Sequence, residues 1–171
     1  MRPAWKSIII HHSDTEDDAA RQDWDGIRKF HMSWRLGGDS ITPEEGRRLL
    51  AEGKPVIKPW RDIGYHWGIE LVKGSIVIQR GRGLDQVGAH CVGMNSQAIG
   101  ICCVGDFDED HPSDLVYFNC AQLCANMIKM FPAITPWNIY PHNKFAQKTC
   151  PGRMFDMDRL IKYVKCNIGG V

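Results

Sequence analysis

The segment Ser7-Ile8-Ile9-Ile10-His11-His12 sets three β-branched apolar residues in a row and ends them in two imidazoles. Such a run suits a buried strand, and the Ser13-Asp14-Thr15 that follows reads as a loop. The strand therefore delivers two histidines to its C-terminal end. Successive side chains of a regular strand point to opposite faces, so only one of the two can serve a given site. Gln97-Ala98-Ile99-Gly100-Ile101-Cys102-Cys103-Val104-Gly105 is also short and apolar on both faces, which suits a central strand of a covered sheet.

The segments between these strands alternate in period. Asp23-Trp24-Asp25 precedes Ile27, Phe30, His31 and Trp34, a helical spacing with acidic residues in the first turn and Gly37-Gly38 as its close. Residues 37–60 turn to Gly, Pro and charge, with Thr42-Pro43-Glu44-Glu45 as a short-helix start, and read as a surface insertion able to shape a groove. Residues 64–80 read as a hairpin about Lys73-Gly74, followed by a Gly-rich loop carrying His90. Ser113 can cap a helix to about Met130, with Leu115, Phe118, Ala121, Cys124 or Ala125, and Ile128 as its apolar stripe. Ile139-Tyr140 is a brief strand leading to His142, and residues 156–165 form a last helix. This order predicts a mixed α/β fold, with a central mixed sheet flanked by helices, as a single domain over residues 1–171.

Composition removes several function classes. The chain has 171 residues, 21 Lys plus Arg against 20 Asp plus Glu, and a hydrophobic fraction of 43%. That excludes a disordered chain and argues against nucleic acid as a partner, since no broad basic field exists. No stretch approaches the roughly 18–20 apolar residues that span a bilayer, so no stable membrane insertion is expected. Met1-Arg2-Pro3-Ala4-Trp5-Lys6-Ser7 meets charge on both sides of Trp5, unlike a signal-peptide core, which predicts a cytoplasmic protein. The seven cysteines then read as thiols, with one available as a ligand.

His11 or His12, His142 and Cys150 could together make a metal site. Zinc takes imidazole nitrogen and thiolate sulfur, and a catalytic site uses three protein ligands with a fourth position open to water. Spacing alone does not pair residues so far apart, and seven histidines with seven cysteines offer other triples.

Several motifs recur in one order: Ile9-Ile10-His11-His12-Ser13, Gly64-Tyr65-His66-Trp67, Gly88-Ala89-His90 with Asn95, Ser96-Gln97-Ala98-Ile99-Gly100-Ile101, and His142 followed by Lys148-Thr149-Cys150-Pro151-Gly152. In this order the chain resembles the zinc-dependent N-acetylmuramoyl-L-alanine amidases in their compact phage-lysozyme form, and also animal peptidoglycan recognition proteins. The resemblance implies one zinc ion per chain on His11, His142 and Cys150, with Tyr65 and Lys148 as the catalytic pair. It implies hydrolysis of the amide between N-acetylmuramic acid and L-alanine, with peptidoglycan or a muropeptide as partner and the chain as a monomer. An endolysin of a phage or prophage, released by a separate holin-type pore, and a cytosolic recycling enzyme both fit. So does a non-catalytic binding module, although binding-only relatives typically lack the cysteine.

His90, Asn95 and His66 are the candidates for substrate contact. The bland readings are a solvated loop residue for His90 and a core or supporting histidine for His66. A structural zinc would instead need a fourth protein ligand such as Cys91. Some relatives carry a glutamate where this chain has Gly100-Ile101-Cys102-Cys103, which places more weight on Tyr65.

Overall fold

The computed structural model describes residues 3–16 and 23–169. Met1 and Arg2, which open the N-terminal segment read above, lie outside them. The elements run β1 (Ser7–His12), α1 (Trp24–His31), β2 (Trp34–Leu36), β3 (Asp39–Ile41), α2 (Pro43–Ala51), β4 (Trp67–Val72), β5 (Ser75–Arg80), β6 (Ala98–Cys103), α3 (Asp114–Met130), β7 (Ile139–Pro141) and α4 (Met157–Ile168). Five strands form one mixed sheet in the order β5-β4-β6-β1-β7, and β2-β3 form a separate hairpin. β6 pairs in parallel with β1 and β4, β7 pairs in parallel with β1, and β5 is the antiparallel edge.

Every residue of β1 and β6 is buried, as their double-sided apolar character requires. Ile8, Ile10, Ile99, Ile101 and Cys103 face α3 and α4, where they join Tyr117, Cys120, Leu160 and Val164 in the main core. The opposite face presents Ile9 with Cys91 and Ala98, and Trp24 with Ile63, Cys102 and Val104. His11 shares that second face with Ile9, two residues away along β1. The carboxyl ends of β1 and β7 therefore open toward the side that α3 and α4 leave uncovered. Crevices at carboxyl strand ends are where α/β sheets generally bind ligands.

Local chemistry fixes most boundaries. Thr42, Ser113 and Asp156 each cap a helix by accepting a backbone N–H three residues on. Lys73 and Gly74 both have positive φ, at 51° and 77°, as a two-residue hairpin turn demands. The start of α1 is held from outside the helix. The fully buried Glu70 carboxylate of β4 accepts the backbone N–H groups of Asp23 and Trp24, satisfying donors a helix start leaves open. Among the described residues, no helix is long and apolar enough to cross a membrane.

Two local expectations are corrected. The first helix ends at His31, Trp34 lies on β2, and Gly37-Gly38 form the turn of the β2-β3 hairpin instead of a helix close. The insertion returns to pair Arg35 with Ile57 through two backbone hydrogen bonds of 2.9 and 3.0 Å, so the chain after His31 is recruited into a small sheet. On α3, Leu115 and Phe118 are exposed, and Val116, Tyr117, Cys120, Leu123 and Met127 face the sheet. That helix is apolar around most of its circumference, so packing selects the buried stripe.

Candidate active site

His11 is the penultimate residue of β1, His142 directly follows β7, and the chain returns at Cys150, whose carbonyl accepts the Asn143 N–H at 2.8 Å. Adjacent parallel strands thus supply both imidazoles, and one ligand atom from each of His11, His142 and Cys150 lies within 4.8 Å of the other two. The Cys150 Sγ is 3.7 Å from His11 Nδ1, and the two imidazole centroids are 4.4 Å apart.

The hydrogen-bond network assigns the tautomers. A carbonyl can only accept, so His90 Nε2, 3.1 Å from the Ala98 oxygen, carries the ring proton. His90 Nδ1 is then an acceptor and takes the Nε2–H of His11 at 3.0 Å. This leaves His11 Nδ1 with its lone pair turned toward Cys150. Supporting hydrogen bonds of this kind orient metal-binding histidines in general. Burial holds His11 and His142 below the usual imidazole range and takes His90 down to about 3, so the rings are neutral at pH 7. Burial pushes the Cys150 thiol up to about 12, so this ligand must shed a proton to bind a cation.

Two neutral nitrogens and one sulfur converging at a cavity wall fit zinc, and three ligands leave one position open. Cys91, the candidate fourth ligand, packs against Ile9 and Ala98 instead. His12 lies on the other strand face, where its Nδ1 accepts the Phe107 N–H at 3.2 Å. A ligand atom of His12 also falls within 4.8 Å of Asp14 and Asp108. Because Nδ1 is occupied, Nε2 of its neutral ring carries the proton and is a donor, not a ligand.

The cavity over this site holds about 730 Å³ and is walled by Tyr65, His90, Lys148, His31, Arg35 and Trp60 besides the three candidate ligands. The Tyr65 ring centroid is 5.1 Å from that of His11 and 5.5 Å from that of His31. Burial raises the Tyr65 phenol well above its ordinary value, so it keeps its proton and acts as a donor. Lys148 is exposed and belongs to the same wall.

His90 lines the cavity as well as supporting His11, but His66 and Asn95 depart from the expected substrate contact. His66 is fully buried, accepts the Gly100 N–H at 3.0 Å and donates to the Gln86 carbonyl at 3.1 Å, leaving no ring atom for a ligand. Asn95 Oδ1 accepts the N–H groups of His90 and Cys91, both at 2.8 Å, so it shapes the loop that places His90. Sequence reasoning missed the cavity roles of His31 and Arg35. His31 on an apolar helix face carries the pattern of a core residue, and nothing near Arg35 distinguishes it from a surface cation.

Gly100 makes this arrangement possible, because a Cβ there would lie 2.5 Å from His90 Cδ2. The ring is hydrogen-bonded through both nitrogens and has little freedom to yield. Gly100→Ala is expected to destabilise the protein by about 1–3 kcal/mol, the usual range for overpacking. Urea unfolding of the purified variant checks this, and unchanged stability would show the ring to be less constrained than these bonds require.

The sequence profile of the N-acetylmuramoyl-L-alanine amidases matches residues 1–153. An endolysin of Klebsiella phage KP32 is 31% identical over 103 residues, covering 58% of this chain and 64% of the endolysin. The chain thus spans less than two thirds of the length of that phage relative. A peptidoglycan recognition protein of Bombyx mori is 25% identical over 166 residues, covering 88% of this chain and 83% of its own. The solved amidase LysC from Clostridium intestinale URNW superposes with a TM-score of 0.65 over 95% of this chain and 86% of its own, at 21% identity, a likeness of fold. With the profile match running from β1 through Cys150, the chain belongs to the N-acetylmuramoyl-L-alanine amidase family.

Proposed function

We propose that the protein is a zinc-dependent, monomeric endolysin that hydrolyses the amide between N-acetylmuramic acid and the L-alanine of peptidoglycan. The observation carrying this reading is the convergence of His11 Nδ1, His142 and Cys150 at the wall of one cavity, with no fourth protein ligand among the described residues. Family membership supplies the reaction class.

A zinc ion held there supplies Lewis acidity toward an amide carbonyl and acidifies water to a pKa of about 7. His90 fixes the plane and tautomer of His11. Lys148 offers its ammonium to the oxyanion that develops as the amide carbon becomes tetrahedral, where one well-placed donor contributes about 3–4 kcal/mol. Tyr65, held as a neutral phenol, hydrogen-bonds the attacking water or the tetrahedral adduct and helps pass a proton toward the departing alanine nitrogen.

The test is to incubate the protein with purified sacculi and assay for new N-terminal alanine, with and without a chelator. Release that stops on metal removal and returns with zinc is the expected result. Release indifferent to the chelator would overturn the metal-dependent reading, and activity confined to soluble muropeptides would overturn the endolysin role.

A further inference from the structure

Of the three candidate ligands, Cys150 has the least support from regular structure. His11 lies in β1 and His142 directly follows β7, so the sheet places both imidazoles, whereas Cys150 sits in the irregular connection between β7 and α4. Asn143 ties the near end of that connection, its backbone N–H donating to the Cys150 carbonyl at 2.8 Å and its side-chain amide to the Thr149 carbonyl at 3.3 Å. The far end is held from another part of the chain.

Asp108, in the loop after β6, supplies that hold. Its Oδ2 accepts the Thr149 hydroxyl and its Oδ1 accepts the Arg153 N–H at 2.8 Å. One carboxylate therefore grips the residue before Cys150 and the residue three after it. The backbones beneath are in close contact: the Phe107 carbonyl accepts the Met154 N–H at 2.8 Å, and a Cβ at Gly152 would lie 2.4 Å from the Phe107 carbonyl carbon and oxygen. Two members of Lys148-Thr149-Cys150-Pro151-Gly152 that bear no metal chemistry thus acquire a reason, Thr149 as donor to Asp108 and Gly152 as room for Phe107.

The carboxylate is itself fixed. The Asp108 N–H donates to Asp106 Oδ1 at 3.0 Å, and the Gly105 N–H donates to Ser13 Oγ at 2.9 Å, which pins this loop beside the end of β1, two residues past His11. The Thr149 hydroxyl, and then the Arg153 N–H, hold the Asp108 carboxyl below the usual carboxylate range, so both bonds run to a charged acceptor and are of the stronger kind. The Arg153 guanidinium, with Nε at 3.8 Å from Oδ1, is largely exposed and adds little.

We infer that Asp108 is a positioning residue for the metal site, its carboxylate holding residues 149–153 so that the Cys150 sulfur stays within reach of His11 and His142. This rests on the zinc reading for the identity of the cation. A ligand on untethered chain has to be ordered as the cation binds, and that ordering weakens the binding. Groups that orient a metal ligand from outside contribute about 10- to 100-fold in affinity.

Zinc affinity of the full chain, measured by competition with a chromophoric chelator, tests this. Asp108→Ala is expected to bind zinc about 10- to 100-fold more weakly. Asp108→Asn should recover most of that loss, since its amide oxygen can accept the Arg153 N–H while its NH2 donates to the Thr149 hydroxyl. Cobalt(II) in place of zinc reports on the ligand itself: the sulfur-to-cobalt charge-transfer band should weaken in Asp108→Ala and return in Asp108→Asn. A loss of general stability alone would leave the band of the folded, loaded protein as it was. Unchanged affinity and band in Asp108→Ala, or an asparagine variant as weak as the alanine one, would overturn the assignment. If Asp108→Ala does not fold, Thr149→Val, which removes one arm of the grip, takes its place with the same expected direction. Alkylation of Cys150 in the metal-free proteins, read by peptide mass spectrometry, should be faster in Asp108→Ala than in the unaltered chain. Faster alkylation in a protein that binds no zinc would leave the grip standing and remove the zinc reading. Zinc binding with no difference between the variants would do the reverse.

Discussion

Cys150→Ser is expected to lose amide hydrolysis by more than about a thousandfold, because metal-derived stabilisation of the transition state amounts to several kcal/mol. The variant should nevertheless stay folded. The main core, formed by Ile8, Ile10, Ile99 and Ile101 against α3 and α4, lies on the opposite face of the sheet from the ligand cluster. A serine hydroxyl keeps its proton at neutral pH and does not replace a thiolate, so the variant should purify without stoichiometric zinc. Its unfolding must be compared with that of the metal-stripped parent, since any ligand that binds the folded state raises apparent stability. Metal content, alanine release and a urea melt of the two proteins settle the point. A variant that unfolds on purification would mark the site as structural, and one that retains zinc and activity would remove Cys150 from the ligand set.

Acidification is expected to weaken the fold as pH falls below about 6.5, with His66 and His31 contributing between about pH 6.5 and pH 4. Burial takes both imidazoles down to about 4. The unfolded chain takes up these protons near 6.5 while the native state refuses them, so the stability these two rings contribute falls as pH drops through that window and levels off below it. A difference of this size corresponds to about 3 kcal/mol for each ring, large against the roughly 5–15 kcal/mol that holds a domain together. The geometry names the bonds at stake: protonating His66 Nδ1 ends its acceptance of the Gly100 N–H, and protonating His31 Nδ1 ends its acceptance of the Gly64 N–H. His66→Gln, whose amide offers both a donor and an acceptor, should flatten the pH dependence of urea unfolding. Parallel curves for the two proteins would show that His66 does not carry this dependence.

Much of the scaffold could be read from residues whose local chemistry allows one reading. The isoleucine run of β1, the Lys73-Gly74 turn and the caps at Thr42, Ser113 and Asp156 depend on near neighbours, and each lies where its type predicts. The candidate ligands were legible only through resemblance, since the parallel pairing of β1 with β7 is what brings His11 and His142 together. His66 and Asn95 share motifs with Tyr65 and His90, but sharing a motif does not fix the direction of a side chain. His66 is the next residue after Tyr65, just before β4, and it is buried in the interior where Tyr65 lines the cavity. Arg35 was opaque for a different reason. Its surroundings are assembled from Phe30 and from Ile57 and Trp60 across the insertion, contacts that no local pattern announces.

The Glu70 carboxylate under the start of α1 has a counterpart at the other end of that helix, where His31 takes the Gly64 N–H. Both anchors trace back to β4 or the residue stretch leading into it, and β4 shares the sheet with the strand that carries His11. The helix-borne wall and the ligand-bearing floor are thus both tied to one sheet, with Trp60 of the insertion adding a further hold on the His31 end of the helix. In a chain built this way the spacing of the groups at the strand ends is set by the sheet, and the insertion shapes the rim of the cavity above them.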